Sequence, residues 1–70
     1  MADVLAEMVA NVWKILVSAG DAISAGDPLL ILESMKMEIP VESPLTGTVK
    51  EIRVREGGVV QEGDVVAVVE

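Results

Sequence analysis

Laid against itself at an offset of 37 residues, the chain matches Val12 with Val49, Ile15 with Ile52, Val17 with Val54, Gly20 with Gly57 and Gly26 with Gly63. Asp27 then meets Asp64, Glu33 meets Glu70, and apolar type is kept between the identities, as where Leu29 meets Val66 and Leu32 meets Val69. Any Val-rich chain finds some Val and Ile matches by composition, but the paired Gly-Asp turns are poorly explained that way. Self-similarity at a fixed period marks a repeated supersecondary unit. The 70 residues therefore read as two copies of one motif, with residues 34–38 as the joint between them.

Each copy reads as β-structure. Ile15 and Val17 alternate with Leu16, as Ile52 and Val54 do with Arg53, and Gly, Asp and Ser clusters bound the short apolar runs. Gly20, Gly26, Gly57, Gly58 and Gly63, with Pro28, Pro40 and Pro44, would each interrupt a helix at a cost of about 1 to 3 kcal/mol. Strands are expected over 3–5, 11–17, 22–24, 29–33, 38–42, 48–54, 59–61 and 65–69. Eight such strands fit an all-β fold, a flattened barrel or sandwich. The expected form is two four-stranded antiparallel sheets with an internal quasi-two-fold relation. Val12 and Val49 are out of phase with Ile15, Val17, Ile52 and Val54, so one face of an unbroken strand cannot hold them all. A bulge or bend is expected near Trp13-Lys14 and again near Lys50-Glu51.

Composition narrows the function. Twelve acidic residues against five basic ones give a net charge of -7, which opposes a phosphate backbone, so nucleic acid is not an expected partner. There is no His and no Cys, and the acidic residues are scattered singly. No metal-ligand set or usual general base is visible, and catalysis by this chain is not expected. No apolar run approaches the ~20 residues of a membrane span, and Met1-Ala2-Asp3-Val4 lacks the basic start of a signal peptide. The expectation is one cytoplasmic domain over 1–70, monomeric in isolation and without a membrane partner. Trp13, the single aromatic, aligns with Lys50, which predicts a partly exposed ring covering a sheet edge or end.

The joint carries the chemical interest. Ser34-Met35-Lys36-Met37 must reverse the chain between two strands, yet it holds no Gly, Asn or Asp. A two-residue hairpin loop favours Asn-Gly because a type I′ turn needs positive φ at both central residues. Broken local rules cluster at functional sites. The other reading is a longer loop in which Met35 and Met37 pack into the core and Lys36 is an ordinary solvated lysine.

The run Glu33-Ser34-Met35-Lys36-Met37-Glu38-Ile39-Pro40 resembles the attachment sequence of biotinyl domains, in the biotinyl/lipoyl-attachment family. The resemblance extends through Gly20-Asp21, Gly26-Asp27, Ser43-Pro44, Gly47, Gly57 and Gly63, and so covers almost the whole chain. It departs near the amino end, where the family often has Ala-Pro-Met followed by Gly and this chain reads Ala6-Glu7-Met8-Val9-Ala10. The short Ser18 to Ala25 connection is similar to members without a protruding thumb insertion.

The resemblance implies that Lys36 sits on an exposed hairpin and is acylated by biotin protein ligase, making biotin a covalent cofactor. It implies, further, that the arm carries a carboxyl group between biotin carboxylase and carboxyltransferase sites. Met35 and Met37 would then offer the enzymes an adaptable apolar contact. Ser34 belongs to the same turn, and Glu33 and Glu38 either set charge and register around it or are simply solvated. Two rivals remain at this level. A lipoyl carrier shares the fold but usually has Asp-Lys-Ala at the tip, so Met-Lys-Met points to biotin with lipoate as the alternative. An unmodified β-barrel interaction module would carry no adduct at all.

Overall fold

The computed structural model describes residues 1–70, all in strands and turns. The strands are β1 (Ala2–Leu5), β2 (Ala10–Ile15), β3 (Ala22–Ile23), β4 (Pro28–Ser34), β5 (Met37–Glu42), β6 (Gly47–Ile52), β7 (Val59–Val60) and β8 (Val65–Val69). They form two four-stranded antiparallel sheets, ordered β1-β8-β6-β3 and β5-β4-β2-β7. Adding 37 to the numbering carries β1 onto β5, β2 onto β6, β3 onto β7 and β4 onto β8, and thereby turns one sheet order into the other. The expected sandwich and its quasi-two-fold symmetry are both present. Each sheet draws strands from both copies, so neither copy completes a sheet alone.

Cross-copy hydrogen bonds repeat the symmetry. Gly20 N donates to Val49 O (2.8 Å) while Gly57 N donates to Val12 O (2.8 Å), and Gly26 N donates to Ser43 O (2.9 Å) while Gly63 N donates to Ala6 O (2.9 Å). These turns need a left-handed residue, and Gly20 (φ 97°) and Gly26 (φ 90°) occupy a region that a Cβ disfavours. A carboxylate closes three of the four: Asp21, Asp27 and Asp64 accept from the backbone N–H groups of Ser18, Ser24 and Gln61, each at 2.8 Å. Gly58 stands at the fourth and offers no such acceptor.

The phase break is resolved by bulges in both copies. Val12 pairs with Leu32 and Lys14 with Ile31, leaving Trp13 as the extra residue. Val49 pairs with Val69 and Glu51 with Val68, leaving Lys50. The inward set is thereby restored, and Val12, Ile23, Leu29, Leu30, Leu32, Val49, Val60, Val66 and Val69 are buried between the sheets. Strands β2 and β6 end two residues earlier than expected and begin one residue earlier. Leu16 N and Arg53 N still donate to Leu29 O and Val66 O, but the chain then leaves the ladder for the Gly20 and Gly57 turns. Trp13 is 44% exposed, where β2 runs past the two-residue β7, and Lys14 Nζ lies 5.9 Å from its ring centroid. Beyond β7, Glu56 takes the place of a strand partner by accepting from Ile15 N at 2.9 Å.

Candidate functional site

Strands β4 and β5 run antiparallel from Pro28↔Glu42 to Ser34↔Met37, which leaves Met35 and Lys36 alone in the turn. The loop is thus the two-residue kind, and Met35 (φ 53°) and Lys36 (φ 63°) both adopt the left-handed conformation that a type I′ turn requires. They are the two non-glycine residues of the chain with positive φ. The longer-loop reading is thereby set aside. Local preference does not select this geometry, since each left-handed non-glycine residue costs roughly 1–2 kcal/mol. The register of β4 against β5, held by the burial of Leu30 and Leu32 beneath it, imposes the turn.

The side chains around the tip follow from the alternation. Leu32 and Ile39 pair on the inner face, the former buried and the latter partly buried. One step nearer the tip, Glu33 and Glu38 pair on the outer face, both exposed. Two like charges stand directly opposite, an arrangement that favours neither register nor stability. Ser34 is half-buried in the closing pair with Met37. Met35 is 91% exposed and Met37 64%, so neither fills the core. Lys36 is exposed, and its Nζ takes part in no hydrogen bond or salt bridge; the one ion pair of the chain is Arg53–Glu51. A free primary amine on a rigid projection, flanked by apolar surface and unshielded by any partner, suits covalent acylation.

The outer edge of the hairpin is also protected. In a two-residue hairpin the closing pair is hydrogen-bonded and alternate pairs are not, which places Pro40, opposite Ile31, at a position whose nitrogen faces away from β4. Pro lacks the N–H that would otherwise invite a further strand. Sequence reading did not find a second feature, a cleft between the edge strands β1 and β5. Asp3, Glu7, Glu42 and Glu62 line it among apolar side chains; it reaches Leu32 and Ile39 beneath the hairpin, but neither Lys36 nor its flanking methionines line it. No single stretch of sequence signals it, because its two walls are brought together by the symmetry. The structure contains no cluster of three or more potential metal ligands.

A β-sandwich that holds a lysine without a hydrogen-bond or ion-pair partner at the tip of a two-residue hairpin defines a class, the small domains that project an exposed lysine on a hairpin. Comparison with known proteins agrees. The family model described as "Biotin-requiring enzyme" matches residues 1–69. A protein of Mycobacterium leprae named as a biotinylated protein TB7.3 homolog is 52% identical over 67 residues, covering 96% of this chain and 94% of that one. The biotin/lipoyl attachment protein of Bacillus subtilis is 52% identical over 59 residues, covering 84% and 81%. Among solved structures, the urea carboxylase of Kluyveromyces lactis contains a region that superposes with a TM-score of 0.93 at 35% identity, covering 99% of this chain and 6% of that much longer one. The chain belongs to the biotinyl/lipoyl-attachment family. The absent Pro and Gly near the amino end leave this fold intact, since Ala6 makes the same backbone bonds to Gly63 and Asp64 as Ser43 makes to Gly26 and Asp27.

Proposed function

We propose that the chain is a non-catalytic biotin carrier in which residues 1–70 act as one carrier unit and Lys36 is the attachment point. The observation that carries this is the tip itself: an unpaired amine at φ 63°, between two exposed methionines, in a chain of this family. Relatives named for biotin favour it over lipoate.

The β4-β5 hairpin holds Lys36 clear of the sandwich, and its restricted backbone reduces the conformational freedom lost when a ligase docks. Attack uses the nitrogen lone pair, so the docked ligase must hold Nζ in its neutral form. The neutral Nζ then attacks the carbonyl carbon of an acyl-adenylate, an amide bond forms, and AMP leaves. Met35 and Met37 supply apolar contact on either side of the amine. Ser34 closes the turn, while Glu33 and Glu38 give its base a negative charge that a partner can read. When bound, biotin supplies a position that takes up a carboxyl group at one active site and releases it at another. The carrier supplies the tether, which makes the second encounter effectively intramolecular.

The partners of this reading are biotin protein ligase and the biotin carboxylase and carboxyltransferase components of a carboxylase. Domains similar to this one occur within a pyruvate carboxylase and a urea carboxylase. The protected edges, with Pro40 on β5 and only two residues in each of β3 and β7, favour a monomer. The cysteine-free sequence suits a reducing compartment, and we place the carrier in the cytoplasm. No helix is long and apolar enough to cross a membrane. Incubation with biotin, ATP and a biotin protein ligase, followed by intact-mass and peptide analysis, tests the assignment. A single adduct on Lys36 that disappears in Lys36→Arg is expected, since Arg keeps the charge but is not acylated. An adduct on Lys14 or Lys50, or none, would overturn it.

A further inference from the structure

The four methionines of the chain stand in different surroundings. Met8 packs against the core, and Met1 is 78% exposed but lies at the far end of the chain from Lys36, with Lys50 Nζ donating to its sulfur. Met35 and Met37 touch neither the core cluster nor any polar partner, and they lie one residue to each side of Lys36, at 91% and 64% exposure. With no cysteine present, these two thioethers are the accessible sulfur beside the attachment amine. Their separation from the core has a specific consequence: a chemical change at either sulfur alters the surface that a partner meets while leaving the sandwich as it was.

We propose that Met35 and Met37 are oxidation sites that gate attachment at Lys36, with hydrogen peroxide or a similar two-electron peroxide as co-reactant. The thioether sulfur attacks one peroxide oxygen, an S–O bond forms as the O–O bond breaks, the sulfur is oxidised by two electrons, and the other oxygen leaves as water. Each apolar side chain becomes a polar, chiral sulfoxide, a change that methionine sulfoxide reductases reverse. A contact that depended on burying the thioether then meets a strong acceptor that must be desolvated. The hairpin would thus accept the ligase more readily while its methionines are reduced. This inference rests on the reading of Lys36 as acceptor and of the methionines as ligase contacts.

The test compares each variant with its own unoxidised sample. The folded chain is treated with hydrogen peroxide, oxidation is assigned by peptide mass, and the initial rate of ligase-catalysed biotinylation is measured before and after. Oxidation at Met35 and Met37 ahead of Met8 is expected, with a rate loss of about tenfold, equivalent to about 1.4 kcal/mol of contact. The unfolding midpoint should stay unchanged and the rate should return after reductase treatment. In Met35→Leu/Met37→Leu, whatever its own starting rate, peroxide should leave the rate ratio near one. An unchanged ratio in the natural sequence, an equal loss in the Leu variant, or a loss that tracks unfolding would each overturn the gate. Failure of the unoxidised chain to be labelled at Lys36 would instead remove the carrier assignment on which the gate depends.

Discussion

Replacing Met35-Lys36 by Asn-Gly should make the domain more stable while removing the proposed attachment lysine. Both residues are held at left-handed φ, 53° and 63°, at roughly 1–2 kcal/mol each. Gly removes that cost at position 36 but loses more freedom on folding, about 0.5–1 kcal/mol, and Asn at position 35 relieves only part of it. The net gain is about 1–2 kcal/mol. Met35 contributes little to packing at 91% exposure, and Lys36 has no partner to lose, so little opposes the gain. For a domain of this size it corresponds to a rise of roughly 5–15 °C in Tm. Urea unfolding followed by far-ultraviolet circular dichroism would read the same change as a higher midpoint at constant m-value. Lys36→Ala is the control: it removes the amine and its charge but keeps a Cβ at positive φ, and should lie within about 0.5 kcal/mol of the natural sequence. If Asn-Gly were neutral or destabilising, or if Lys36→Ala gave the same gain, the tip would not be strained as argued.

Three further outcomes follow from the packing. In Gly47→Ala the new Cβ would fall 2.1 Å from Glu70 O, the acceptor of the Thr48 N–H bond at 2.7 Å, so a loss of about 1–3 kcal/mol is expected in urea unfolding. Gly58→Asp would give Arg55 N–H the carboxylate acceptor that the other three turns possess; its Cβ would lie 3.1 Å from Arg55 O, a position that Asp21, Asp27 and Asp64 occupy in the equivalent turns, and a gain of about 0.5 kcal/mol in the same assay is expected. Glu38→Thr removes one of two like charges facing each other across the hairpin, and should raise the midpoint by a few tenths of a kcal/mol, more at low salt than at high.

Much of this protein is legible in its sequence, because the repeat and the phase of its apolar residues carry non-local information. Val12 and Ile15 cannot share a face without an extra residue between them. A strand's side chains alternate with a period of two whatever it pairs with, so a bulge or bend is required near Trp13-Lys14 and near Lys50-Glu51, and in the fold the extra residues are Trp13 and Lys50. The joint at residues 34–38 followed from the same offset, and Lys36 with it.

Tertiary structure alone decided how the copies interleave, β1 and β3 with β6 and β8 in one sheet and their counterparts in the other. Nothing local to a strand names its neighbour; closing the sandwich over a shared core does. It also decided the conformation of the tip. The residues Met35 and Lys36 are compatible with a loose loop that buries two methionines, and by local preference they disfavour a type I′ turn. The pairing of Ser34 with Met37 above buried Leu32 leaves only two residues to reverse the chain. That closure turns the methionines outward and leaves the lysine without a partner. The sequence by itself determined where the chain would turn, and the register of two strands determined that the turn would present a free amine.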